Sequence, residues 1–202
     1  MSVYYYKGAQ IIAPFTITSN EPMFDADTVS LKKQRASQDA QRWEISFSTV
    51  GTVDTVQDML LAAVTNNQLT ATMIMPQLTA VDSLSTKSNT STNVAVAASS
   101  GVSSVTMQVA GTSGTLPKGS FFKFSNHDKI YVTTTDINFD GGTNLAVSFY
   151  PNLRADLTTS HTMLTGSLAV LSYYKSIDNM SGITFTDGVL SNSGTIELLE
   201  AL

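Results

Sequence analysis

The sequence predicts a mainly β protein: an antiparallel β-sandwich with one short helix, into which a small β-barrel-like domain is inserted. Three observations predict it. Short apolar runs rich in Phe, Ile, Val, Tyr and Thr recur between turn residues, as strands do. A single stretch, 54–67, carries apolar residues at helical spacing. An interval rich in Ser, Thr, Asn and Ala, 79–104, separates two groups of strands and is poorest in apolar residues at 83–93.

The first group begins with Val3-Tyr4-Tyr5-Tyr6, then Ile11-Ile12, then Phe15-Thr16-Ile17. Tyrosines at this position either seal a core edge, the default reading, or pack on a neighbour, because Tyr offers contact area at low entropic cost. Residues 19–41 are polar and lack a pattern, which reads as a solvated loop or an arm toward a partner. Its densest charges are Lys32, Lys33, Arg35, Asp39 and Arg42. Residues 42–50 alternate, with Trp43, Ile45 and Phe47 on one face and Arg42, Glu44, Ser46 and Ser48 on the other. That is a half-buried strand, with Trp43 a core anchor. Val56, Met59, Leu60, Ala63 and Val64 make one apolar stripe of a helix, capped by Thr52, Asp54 or Thr55. Leu69–Met75 reads as a strand closed by Pro76.

The second group centres on 111–154. Val105 and Met107 alternate in the strand that feeds it, after a brief strand near Val94. Phe121–Phe124, Lys129–Thr133 and Leu145–Tyr150 are strands of a small antiparallel unit, joined by Ser125–Asp128 and by the turn Asp140-Gly141-Gly142. In the first of these, Phe122 and Phe124 face inward and Lys123 outward, leaving Phe121 half exposed as a candidate contact residue. Leu168–Tyr174 is a further strand, 183–185 alternates weakly, and Thr195–Leu199 is expected at a sheet edge or in a terminal turn. The expected organisation is nested. Residues 1–78 and 164–202 form the outer sandwich, and 79–163 the inserted domain.

Composition narrows the function. The chain has 202 residues, enough for one good core or two small ones. Charged residues make up 13%, against roughly 25% in a typical soluble domain. A surface so poor in charge suits burial against other subunits, or a sheet coated with Thr and Ser. The net charge of −5 and the lack of any Lys/Arg cluster longer than two adjacent residues argue against nucleic acid. There is no cysteine, so disulfides and thiol chemistry are excluded. The start lacks the apolar core of a signal peptide, and no run approaches the ~20 apolar residues of a membrane span.

No constellation of catalytic type stands out. The two histidines, His127 and His161, lack the partners a zinc site needs, so no metal is expected. His127 is placed in the turn 125–128, exposed or hydrogen-bonded. Asp136, Asp140 and Asp156 lack the ligand alternation of a calcium loop. There is no Gly-x-Ser-x-Gly elbow. Gly111 to Gly119 resembles a phosphate loop in its glycines but lacks the Gly-Lys-Ser ending and a following helix, and is read as a turn.

Leu116-Pro117-Lys118-Gly119-Ser120-Phe121-Phe122-Lys123-Phe124, then Lys129-Ile130-Tyr131-Val132, and then Phe149-Tyr150-Pro151-Asn152-Leu153-Arg154 resemble a pattern in tail and baseplate proteins of tailed bacteriophages. The resemblance covers 110–165 and, more loosely, 40–78. It implies a structural virion component of the distal tail or baseplate, which forms a ring through contacts with itself and with neighbouring tail proteins. It implies no catalytic residue, cofactor, metal, membrane or small-molecule substrate, and a protein made in the host cytoplasm. Candidate contact residues are Tyr4, Tyr5, Tyr6, Lys32, Lys33, Arg35 and Phe121. A carbohydrate- or receptor-binding β-module is the alternative, with Tyr4, Tyr5, Tyr6, Tyr150, Tyr173 and Tyr174 as stacking platforms. A hydrolase is disfavoured, since no base is paired with a nucleophile.

Overall fold

The computed structural model describes residues 5–27, 33–37, 40–50, 57–58, 61, 70–75, 91–108, 113–140, 144–176, 184–186, 190–192 and 194–202. In order, its strands are β1 (Tyr5–Tyr6), β2 (Ala9–Asn20), β3 (Met23–Asp27), β4 (Lys33–Ser37), β5 (Arg42–Thr49), β6 (Ala71–Ile74), β7 (Ser91–Asn93), β8 (Ser104–Gln108), β9 (Ser113–Leu116), β10 (Phe121–Phe124), β11 (Ile130–Thr133), β12 (Ile137–Asp140), β13 (Asn144–Tyr150), β14 (Thr162–Thr165), β15 (Val170–Lys175), β16 (Thr184–Thr186), β17 (Leu190–Asn192) and β18 (Thr195–Glu200). A 3-10 turn, Gly166–Leu168, precedes β15. The mainly β, antiparallel class is as expected. The chain divides into two units, Met1–Met73 with Ser172–Ala201, and Ile74–Leu171 with Leu202.

The first unit holds a six-stranded sheet of order β1-β2-β5-β18-β15-β6. The alternation in β5 does what its period dictates: Trp43, Ile45 and Phe47 are buried, while Glu44, Ser46 and Ser48 face outward. Phe15 of β2 stacks on Phe47 at 5.7 Å, and Tyr6 meets Phe47 edge-on at 5.2 Å. The register of β2 on β5 shifts between Ile12 and Thr16. Pro14 lies in that interval and has no N–H for the ladder.

Two expectations are corrected in this unit. Residues 19–41 are not a loop throughout, because β3 and β4 pair as an antiparallel ribbon from Met23↔Ser37 to Asp27↔Lys33. Periodicity missed it because Met23, Phe24, Asp25 and Ala26 are all exposed, so no buried face imprints a period of two. β18 is neither an edge nor a turn. It lies between β5 and β15. Leu199 faces outward and Glu200 inward, which hides its alternation. The helix expected over 54–67 falls almost wholly outside the described residues; Gln57, Asp58 and Leu61 are helical and exposed, off the apolar stripe.

The second unit is a nearly closed barrel. Its sheet runs β7-β14-β10-β11-β13-β8. The ring is brought together by the bridge Val94↔Met107 and by the Ala95 N–H donating to the Thr106 carbonyl at 2.8 Å. Phe122, Phe124, Tyr131, Val147, Phe149, Met107 and Met163 fill it. The β9–β12 ribbon adds Leu116, Ile137 and Phe139 to the same core and keeps Thr115 and Asn138 exposed, joined by a 2.7 Å side-chain hydrogen bond. The turn at Asp140-Gly141-Gly142 lies largely outside the described residues.

Candidate functional site

Strand alternation separates the N-terminal tyrosines. Tyr5 on edge strand β1 is 63% exposed, whereas Tyr6 is 5% exposed, with its ring 6.3 Å from that of Tyr173. Tyr6 therefore seals the core. Burial and the neighbouring Tyr6 phenol push the Tyr173 proton affinity far up. With Tyr6 and Tyr173 spent inside, two of the proposed stacking platforms are not on the surface. Tyr4 and Lys32 lie outside the described residues. Lys33 is exposed and pairs with Asp25 across the ribbon at 3.8 Å, and the Arg35 backbone stands opposite Asp25. Such an exposed pair contributes little to stability. Phe121 is half-buried on β10, with Phe122 and Phe124 fully buried, as the alternation requires. Lys33 and Arg35 share the ribbon, Tyr5 sits at the sheet edge, and Phe121 belongs to the barrel.

The outward face of β2, β5 and β18 is polar. Thr16 and Ser46, and Thr18 and Glu44, are register partners there, and Glu197 stands opposite Ser46. They line a trough of about 460 Å³. A second hollow of about 280 Å³ is lined by Asn20, Pro22, Ala40 and Arg42 with Glu44 and Leu199. Asn20 Nδ2 donates to Glu44 Oε1 at 2.8 Å. Among the described residues, the hydroxyls and carboxylates here show no nucleophile–base pairing.

The Pro117–Ser120 turn uses its polar groups internally. Ser120 Oγ donates to the Pro117 carbonyl at 2.7 Å, and Thr133 Oγ1 donates to the same oxygen at 2.9 Å. The Lys118 N–H donates to Asp136 Oδ1 at 2.8 Å. The Lys118, Gly119 and Ser120 amides already have acceptors, so the turn expected over 111–119 is found at Pro117–Ser120, whereas Ser113–Leu116 is strand β9 and Gly111 and Thr112 lie outside the described residues.

A connected polar cluster lies around His127 in the barrel. Asn126 Nδ2 donates to the Asp156 carbonyl at 3.0 Å, which leaves Asn126 Oδ1 facing His127 Nδ1 at 2.6 Å. That oxygen can only accept, so Nδ1 carries the proton and Nε2 is a lone pair. Tyr131 Oη stands 2.6 Å from Nε2 and donates to it, and the Arg154 N–H donates to Tyr131 Oη at 3.0 Å. Desolvation holds His127 down at about 4, with the nearby Arg154 and Lys123 charges adding to it. His127 alone in its turn carries no sequence signal of this network. Its other partners, Tyr131 and Arg154, stand in separate phrases of the tail-like pattern. Among the described residues no group of three His, Asp or Glu side chains could hold a metal ion. No described helix is long and apolar enough to cross a membrane.

Residues 83–165 match the family described as distal tail protein pb9, B domain. That segment is similar to a distal-tail B domain. The match falls on the segment that builds the barrel, and it supports a structural role in a phage tail. Less than half of the sequence lies in the B domain match. No curated protein matches the chain.

Proposed function

We propose that this protein is a ring-forming component of the distal tail or baseplate, assembled from copies of itself and bound to neighbouring tail proteins, and that it catalyses no reaction. The observation that carries the reading is the match to a distal-tail B domain at 83–165. The β3–β4 ribbon supports the ring. Met23 is 51% and Phe24 67% exposed on it. Two strands alone are marginal in water, and an exposed Phe–Met pair favours cover by another subunit. A closed ring lets one such surface serve every copy.

On this reading Tyr5, Lys33, Arg35 and Phe121 are contact residues, together with Tyr4, Lys32 and the outward edge around Tyr6. The mature site of action is the virion, after synthesis in the host cytoplasm. The nested organisation belongs to the same proposal: 79–163 forms one domain, held between 1–78 and 164–202.

Electron microscopy and sedimentation of the purified chain test it. A closed ring is expected, with Phe24→Ala shifting it toward monomer while leaving the monomer folded. A chain that stays monomeric at high concentration, and that binds no other tail protein, would overturn the proposal.

A further inference from the structure

We propose that the β3–β4 ribbon joins copies of this chain edge to edge and head to tail, β4 of one copy pairing with β3 of the next. The joint is the contact that closes the ring proposed above, and it rests on that reading. The ribbon runs from Met23↔Ser37 to Asp27↔Lys33, and among the described residues it is a two-stranded sheet of its own. Met23, Phe24, Asp25 and Ala26 are all exposed, so neither face of β3 is spent on a core. A ribbon of this kind is marginal in water, and further strands beside it are the direct remedy.

Charge decides which strands meet. β3 carries Asp25 and Asp27 and no cation, whereas β4 carries Lys33 and Arg35 and no anion. Register sets Asp25 opposite Arg35 and Asp27 opposite Lys33, so these four share one face of the ribbon. Lys33 Nζ reaches Asp25 Oδ2 at 3.8 Å, and the two side chains remain 62% and 44% exposed, open to further charges. Joining β3 to β3 would set aspartate beside aspartate, and joining β4 to β4 would set cation beside cation. Both are destabilising. β4 beside β3 brings opposite signs together at every joint. Charges that only guarded the edges would work best with one sign on both, so that every approach of a second copy was repelled. Because the ribbon is antiparallel, β4 beside the next β3 continues the antiparallel order. Such a head-to-tail contact is heterologous, the kind that rotation closes into a ring.

The test uses the full chain and two variants, followed by sedimentation and electron microscopy. Lys33→Asp with Arg35→Asp makes both strands acidic. Asp25→Lys with Asp27→Lys makes both basic. Each variant alone should need a concentration higher by roughly tenfold or more to form rings. Mixing the two in equal amounts should restore assembly, since every acidic edge then meets a basic one. Within each variant the ribbon still sets like charges opposite each other, so a role confined to the ribbon's own stability predicts no rescue. Rings of the unaltered chain should also weaken as salt rises. If the unaltered chain forms rings, then normal assembly of either variant alone, a mixture without rescue, or assembly indifferent to salt would overturn the edge-to-edge joint and leave the ring standing. An unaltered chain that never assembles would overturn both.

Discussion

The backbone N–H of Trp43 donates to Glu200 Oε2 at 3.1 Å, across 157 residues of sequence. Both partners are buried, and Glu200 is fully so. The bond ties β5 to the end of β18 inside the discontinuous unit, where a carboxylate would otherwise be an expensive occupant.

Glu200→Ala removes an acceptor and strands a buried amide, so it should cost the first unit about 1–3 kcal/mol. Glu200→Gln keeps an acceptor oxygen and should cost less. Trp43 is the sole tryptophan, so its fluorescence in a denaturant titration follows this unit directly. Equal losses in the two variants would show that the charge, and not the hydrogen bond, is what matters.

In the barrel, Phe122 is in ring contact with Phe124, Tyr131 and Phe149, with centroids 5.4–5.8 Å away. Phe122→Ala should lower barrel stability by about 3–5 kcal/mol, because three neighbours cannot all collapse into the cavity. Phe121→Ala, one position along and half-buried, should cost far less. Exchange protection across β13 distinguishes the two.

Gly119 has φ +83°, and a Cβ placed there would touch nothing within 4 Å. Gly119→Ala therefore isolates the backbone cost of the left-handed conformation, about 1–2 kcal/mol. A neutral result in thermal unfolding would mean that the Pro117–Ser120 turn has relaxed to another geometry.

His127 makes stability depend on pH in a defined direction. Its folded value of about 4 lies below the ordinary 6.5. Between these values the unfolded chain binds a proton that the folded chain resists. Its contribution is thus complete above 6.5 and is lost as pH falls through the window toward 4. Denaturation series at several pH values should show His127→Gln flattening that part of the profile; an unaltered slope would assign it to other groups.

Lys175 is buried on the face that carries Tyr173, and burial lowers its proton affinity. The unfolded lysine binds its proton more readily, so stability should rise as pH climbs toward the ordinary lysine value. Lys175→Met should raise the melting temperature at neutral pH and remove that rise. A lower melting temperature would show that the ammonium has a compensating partner.

What the sequence made legible follows the physics of one-sided burial. β5, β8 and β10 alternate cleanly because one face meets a core, and each was placed within a residue or so from its apolar period. The β3–β4 ribbon has no buried face in its described residues, and so left no trace. β18 failed for the opposite reason, since its inward row ends in Glu200, a residue whose type argues for solvent. The His127 cluster was invisible because its partners come from 126, 131 and 154, and no local rule links them. Tyr131 and Arg154 both belong to the tail-like phrases, and the Arg154 N–H to Tyr131 Oη bond gives those two phrases a shared physical purpose.

The central place of β18 has a consequence for biosynthesis. All of the strands from β7 to β14 leave the ribosome before β18 does, so the barrel has every strand it needs while the outer sheet still lacks its middle. Until residues 195–200 emerge, β5 and β15 hold ladder edges with no strand between them, the state most prone to pairing with a wrong chain. A nonsense mutation just after Gly194 would therefore yield a protein whose late-folding half is open at its centre rather than frayed at its rim.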